Sequence, residues 1–297
     1  MFDFNGILFF PVTPFTADGE VDVAVFGQHV KRGLDKGARI VFAACGTGEY
    51  FALDDAEAGR VITEAVARCA GRAPVFVGAG GGVGPARTRI AQAAAAGADG
   101  VLLFAPDGLI GGTAGLVEYV TAVAETSELP IIAYQRGAMR FDVPATVQLA
   151  GLPQVIGLKE GLGDIELVRR QVATVQEVRP DFVFINGLPT AELTMAAYRS
   201  VGVEYYSSAV FAFAPDIAVA FNQALEAGDT DTQHQLNKSF FAPFAELRSK
   251  RGDYPVSLVK AGVAMGGLQV GKPRAPLAPP APADLDQLRD LVERSHT

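Results

Sequence analysis

Short apolar runs alternate with longer amphipathic segments along most of the chain. The apolar runs fall at residues 6–12, 40–44, 75–78, 100–104, 131–134, 155–159, 182–186 and 204–207. Each is rich in β-branched or aromatic side chains and apolar on both faces, as buried parallel strands are. The intervening segments predict helices. In 54–70, Asp54 can cap the N-terminus, and Glu57, three residues on, can complete a capping box. Val61, Ile62, Ala65 and Val66 then form one apolar stripe. Segment 85–96 is alanine-rich, with Ile90 on its buried side, and segments 189–201 and 215–227 each place proline near a helix start.

Eight strand–helix units without tandem hairpins argue a (β/α)8 TIM barrel, an α/β fold, over residues 1–228. An open doubly wound sheet is the competitor. Its dinucleotide-binding form wants a glycine-rich turn after the first strand, where this chain has PVTPFTADG. Residues 229–297 predict a C-terminal helical extension packed on the barrel. One helix is expected over 229–251, carrying Leu236, Phe240, Phe241, Phe244 and Leu247, and a second over 254–267. The proline-rich linker GKPRAPLAPPAPADL follows, then a last helix over 284–294.

Composition narrows the possible functions. The 297 residues are 49% hydrophobic and 20% charged, an ordinary globular balance. A net charge of -8, with no run of Lys and Arg, argues against nucleic-acid binding. An anionic substrate would need a local basic pocket working against that field. No run reaches the ~18 apolar residues of a membrane span, and MFDFNGILFF has no basic leader before its apolar run. Two cysteines, Cys45 and Cys69, are no disulfide framework, so a cytoplasmic location is expected.

In such a barrel, chemistry belongs at the C-terminal ends of the strands. Lys159 ends the sixth, in VIGLKEGLGD. It is either a snorkelling lysine with a wet ammonium or an imine-forming amine; burial against apolar walls depresses an amine's pKa and makes it nucleophilic. Tyr134 ends the fifth strand, as a core aromatic or a proton shuttle. Arg136, two residues on, has the fork to hold a carboxylate. CGTGEYF follows the second strand. Gly46 and Gly48 allow a sharp turn whose N–H groups can line an anion site, Thr47 adding a hydroxyl, although a plain strand-to-helix turn would also need glycine. Cys45 reads as a small buried hydrophobe.

Two other features are read as inert. GAGGGVG, 78–84, lacks the spacing of either nucleotide fingerprint. His29, His234 and His296 are scattered, and no metal site or cofactor is expected.

Together, FPVTPF with DG after the first strand, GTGE after the second, a tyrosine ending the fifth and GLKEG ending the sixth resemble the dihydrodipicolinate synthase and N-acetylneuraminate lyase superfamily over roughly residues 6–267. YQR, GLKEGLGDIE, GLPTAE, YSSAVF and YPVSLVKAG are most similar to its 5-dehydro-4-deoxyglucarate dehydratases. The resemblance implies Lys159 as the Schiff-base lysine, Tyr134 as the proton relay, and the turn of Gly46, Thr47 and Gly48 as the seat of a 2-oxo acid's carboxylate. It also implies a homotetramer acting on a small-molecule 2-oxo sugar acid in sugar-acid catabolism. The sequence departs from the wider superfamily in two places. Gly46 replaces the first of two hydroxyl residues, which disfavours a synthase, and Asp107-Gly108 replaces a proline–aromatic pair at the expected substrate lid.

The implied reaction converts 5-dehydro-4-deoxy-D-glucarate to 2,5-dioxopentanoate, water and CO2. On this scheme neutral donors such as Ser208 and Asn186, with Ser207 beside them, hold the departing carboxylate loosely, while Arg136 orients the hydroxyl region. A tight arginine clamp there would stabilise the ground-state anion. The alternatives are an aldolase or lyase of 2-oxo-3-deoxy sugar acids or sialic acid, a dihydrodipicolinate synthase-like enzyme, and a non-catalytic sugar-acid sensor.

Overall fold

The computed structural model describes residues 2–106 and 111–294. Eight parallel strands close on themselves in sequence order: β1 Ile7–Phe9, β2 Ala38–Ala43, β3 Val75–Ala79, β4 Gly100–Leu103, β5 Ile131–Gln135, β6 Val155–Glu160, β7 Val183–Asn186 and β8 Tyr205–Ser208. β8 returns to β1 through the pairs Leu8↔Ser207 and Phe9↔Ser208. The expected (β/α)8 barrel is therefore the fold, and the strands lie within a few residues of the runs read from the sequence.

The period-2 alternation of side chains across each strand divides the apolar residues into two cores. Phe9, Val41, Val77, Leu103 and Ala133 face outward into the layer between barrel and helices. Leu8, Phe42, Phe76, Leu102, Ile132 and Ile185 fill the barrel's interior. Phe104 and Tyr134 belong to the inner set and rise toward the strands' C-terminal ends.

The helical layer comprises α1 Val23–Asp35, α2 Asp55–Cys69, α3 Val83–Ala96, α4 Thr113–Ala124, α5 Val143–Ala150, α6 Ile165–Val178, α7 Met195–Ser200 and α8 Pro215–Ala227. α2 carries the anticipated capping box. Asp54 accepts from Glu57 N–H at 2.8 Å, and Glu57 accepts from Asp54 N–H at 3.1 Å. The helix expected over 189–201 instead opens as a 3-10 turn, Ala191–Thr194, before α7. The Asn186 amide donates to the Thr194 hydroxyl and to the Ala191 carbonyl, holding that turn against β7.

Beyond α8 the chain forms α9 Thr230–Leu236, α10 Ala242–Ser249, α11 Tyr254–Met265 and α12 Pro282–Arg294. The single helix expected over 229–251 is divided by a wide π turn, Asn237–Phe241. Pro243, in the first turn of α10, lacks an N–H and crowds the preceding turn, so a regular α-helix cannot run through it. Phe240, Phe241 and Phe244 are wholly buried within the chain, stacking among themselves and on Phe213 and Phe221. They therefore offer no exposed aromatic surface to a second copy of the chain. The proline-rich segment is a strap over the barrel mouth rather than a loose linker. Phe15 N–H donates to Val270 O at 3.0 Å, and Arg274 reaches the start of α2. No helix among the described residues is long and apolar enough to cross a membrane.

Candidate active site

A cavity of about 600 Å³ opens at the C-terminal ends of the strands. Phe10, Leu102 and Phe104 line its apolar side, and residues 274–277 of the strap and the start of α11 its rim. Lys159 opens into it from β6. Strand register sets Lys159 beside Tyr134 of β5 and Ile185 of β7, inside the barrel. The side chain is 4% exposed. Its ammonium sits 3.9 Å from the Tyr134 ring centre and 5.0 Å from that of Phe10. No carboxylate lies within ion-pair distance of it among the described residues. The snorkelling reading fails on this geometry, because the ammonium ends against aromatic faces at the cavity wall rather than in bulk solvent.

Two glycines make room for this pair. A Cβ at Gly187 would lie 2.9 Å from Lys159 Nζ, and one at Gly161 would lie 3.0 Å from the Tyr134 ring. The same Gly187 presents its carbonyl to the Tyr134 hydroxyl, which donates to it at 3.0 Å. Arg136 donates to that hydroxyl oxygen at 2.9 Å. Burial pushes the phenol's pKa up, but the Lys159 ammonium and the Arg136 guanidinium more than offset it, leaving the group below its ordinary value. A phenol so placed can give and take a proton at the amine.

Across the cavity, Gly46–Gly48 forms a short 3-10 turn at the end of β2, and Gly46 and Thr47 line the cavity. Gly48 lies behind the lining, its carbonyl accepting from the Thr13 hydroxyl at 2.6 Å. Cys45 is fully buried, and burial pushes its thiol far up, with the Lys159 charge opposing. It is a packing residue. The GAGGGVG run supports the aromatic wall, since the rings of Tyr50 and Phe104 lie against Gly78 and Gly80.

The remaining sequence candidates separate. Arg136 and Ser207 line the cavity. Ser208 and Asn186 do not. The Ser208 hydroxyl donates to Glu192 Oε1 at 2.6 Å and accepts from Phe211 N–H at 3.1 Å. Asn186 donates to Ala191 O and Thr194 Oγ1 and accepts from Leu188 N–H. The polar atoms expected to hold a departing carboxylate are thus committed to the scaffold. Asp107 and Gly108, the altered lid position, lie outside the described residues, as does His296.

The profile of the dihydrodipicolinate synthetase family matches residues 3–295. The chain belongs to this family. Curated members similar to it include a Streptomyces coelicolor protein named probable 5-dehydro-4-deoxyglucarate dehydratase 1, 47% identical, with 98% of this chain and 92% of that protein covered. A Streptomyces griseus protein named probable 5-dehydro-4-deoxyglucarate dehydratase is 48% identical over 98% of this chain and 91% of its own. A Delftia acidovorans protein of the same name is 39% identical, with 98% and 95% covered. Among solved structures, dihydrodipicolinate synthase from Oceanobacillus iheyensis superposes with a TM-score of 0.92 at 28% identity, covering 99% of this chain and 97% of that one.

For a member of this family, the cavity also holds residues that the motifs did not announce. Arg248 of α10 lines the wall. Its guanidinium donates to Pro189 O and Thr190 Oγ1 and lies over the Phe244 ring. Burial pulls it down to about 10, Glu192 opposing. Glu49 and Arg274 stand at the rim, joined to Lys260 behind it. Glu49 and Lys260 sit inside the quoted motifs GTGE and YPVSLVKAG, but nothing local says that these two segments meet.

Proposed function

We propose that the protein is a decarboxylating 5-dehydro-4-deoxyglucarate dehydratase. The observation that carries the reading is Lys159, an amine with no acid partner among the described residues, at the wall of an aromatic cavity and touching the phenol of Tyr134. The names of relatives up to 48% identical over nearly the whole chain point to the substrate.

The substrate's keto carbon condenses with the Lys159 amine and loses water. The carboxylate beside the keto group rests on the Gly46-Thr47-Gly48 turn, with the Thr47 hydroxyl donating to it. The iminium draws electrons from the adjacent methylene, whose proton leaves with Tyr134 as the relay. The enamine then expels the β-hydroxyl as water, forming a conjugated iminium. The bond to the distal carboxylate breaks next. Its electron pair runs through the conjugated system to nitrogen, and CO2 departs. Reprotonation and hydrolysis release 2,5-dioxopentanoate and restore the amine. The distal end of the substrate lies toward Arg136 and Ser207, with Arg248 supplying positive charge from the wall. No step needs a cofactor. The enzyme works in the cytoplasm as a homo-oligomer, a tetramer on the family resemblance.

Incubation with 5-dehydro-4-deoxyglucarate tests the reading, with CO2 and 2,5-dioxopentanoate both assayed. Equimolar release of the two is expected. Pyruvate in their place would make the protein an aldolase, and binding without turnover would make it a sensor.

A further inference from the structure

Three non-glycine residues among those described have positive φ, and two of them, Ala44 (48°) and Glu49 (58°), bracket the Gly46-Thr47-Gly48 turn. A side chain in that region costs about 1–3 kcal/mol and persists only where the surroundings over-determine it. Glycine would adopt it freely, so the Glu49 carboxylate is the reason a glutamate stands there. It is wholly buried, and both its oxygens are used. Oε1 accepts from Lys260 Nζ at 2.6 Å, and Oε2 accepts from the backbone N–H of Arg274 at 2.8 Å. Lys260 also donates to Thr13 O at 2.8 Å, and the Thr13 hydroxyl in turn grips Gly48 O. The Arg274 guanidinium donates to Ala52 O at 2.7 Å and Gly19 O at 2.6 Å, and forms an ion pair with Glu57 at the start of α2. Lys260 and Arg274 both lie over the ring of Phe15.

Two cations and two carboxylates thus join the β1–α1 loop, the turn after β2, the head of α2, α11 and the strap. Stability alone does not account for this arrangement. A buried ion pair contributes little net stability against an apolar replacement, and the strained turn adds a cost. Two of the network's members, Glu49 and Arg274, face the site instead. Glu49, Arg274 and the strap residues Ala275, Pro276 and Leu277 line the same cavity as Thr47 and Lys159.

We propose that Glu49, Lys260 and Arg274 are positioning residues, one buried network that fixes the Thr47 turn and the strap relative to Lys159. The C-terminal extension then sets how tightly a 2-oxo carboxylate is held beside the imine. The inference rests on the reading of Lys159 and the Thr47 turn given above.

Borohydride trapping of the imine with pyruvate tests it, scored by the mass added at Lys159 as pyruvate is varied. Full-length Lys260→Met, Arg274→Met and the double variant Glu49→Gln/Lys260→Met are compared with the unaltered protein. Misplacement of a positioning group by ~1 Å can cost ~100-fold. The pyruvate concentration for half-labelling should therefore rise about tenfold or more, while saturating pyruvate still labels every Lys159. A merely structural network would lower the melting temperature and leave half-labelling unmoved. That result in any folded variant overturns the proposal. If Lys260→Met does not fold, the charge-balanced double variant and Arg274→Met, whose side chain is partly exposed, carry the measurement. Failure of the unaltered protein to label overturns the Lys159 reading and this inference with it. Normal labelling with unmoved variants overturns this inference alone.

Discussion

Lys159 and Lys260 are both nearly inaccessible, 4% and 1% exposed, and each lies with its ammonium 3.9 Å from an aromatic ring centre. Their surroundings otherwise differ. Lys260 has a carboxylate at 2.6 Å and a carbonyl at 2.8 Å, so its lone pair is unavailable while the pair persists. Lys159 faces a cavity and a phenol, with no carboxylate in range among the described residues. Leaving an ammonium without an acid partner in an apolar wall is costly. On the proposed reading Lys159 bears that cost because its amine forms the imine, whereas at Lys260 the Glu49 carboxylate offsets it.

The comparison can be broken by substituting each lysine with methionine, which keeps the stem and removes the charge. Lys159→Met should abolish CO2 release, by on the order of 10^4-fold or more, as loss of a covalent nucleophile does. Retention of more than about one per cent of the activity in a radiometric CO2 assay would place the nucleophile elsewhere. Tyr134→Phe keeps the ring beside Lys159 and removes the hydroxyl that bonds Gly187 and Arg136. A fall of ~10^2–10^4 in kcat is expected for a lost proton relay, whereas a change under about threefold would make the phenol a packing residue.

Stability should reverse the ranking of the two lysines. Lys260→Met leaves Glu49 buried without its ion-pair partner, and should cost about 3–5 kcal/mol in urea unfolding. Lys159→Met removes a charge that has no acid partner among the described residues, and should cost under about 1 kcal/mol or stabilise. Equal losses from both would erase the distinction drawn here.

Glu192 sharpens the contrast from the acid side. Unlike Glu49 it has no cation within ion-pair distance among the described residues, and one of its oxygens is unbonded. Burial pushes its carboxyl up to about 7, the Ser208 hydroxyl opposing. The folded chain therefore holds this proton more tightly than the unfolded chain does. The stability this contributes is complete below about pH 4.5 and is lost as pH rises through about 7. Glutamine mimics the protonated acid. Glu192→Gln should match the unaltered protein near pH 5 and be more stable at pH 8, by up to about 3 kcal/mol. A pH-independent difference in melting temperature between pH 5 and 8 would remove the acid from this role.

Much of the site was legible because strand register is local. Lys159 and Tyr134 each end an apolar run, and adjacent strands of a closed barrel bring such ends together. Thr47 in the glycine turn after β2, Arg136 just past β5 and Ser207 in β8 also line the cavity. Ser208 was misjudged by one pleat position. Successive strand residues point to opposite faces, so Ser207 faces the cavity and Ser208 the layer behind it, where Glu192 takes its hydroxyl. Asn186 was misjudged because a polar residue at a strand end can serve the next turn as readily as a ligand.

The sequence by itself determined the barrel, its eight strands, the α2 capping box and the two residues of the amine–phenol pair. These follow from periodicity and from residue types that act within a few positions of one another. Tertiary structure alone decided that Lys260 and Arg274 close on Glu49 from 211 and 225 residues away. It also decided that the proline-rich segment is a strap, and that the three phenylalanines after α9 are consumed inside the chain. No local pattern records which buried charge meets which, because a lysine in an apolar helix and a glutamate after a glycine turn look alike whether paired or alone. Only the closing of the chain brings the partner that neutralises one lysine and withholds it from the other.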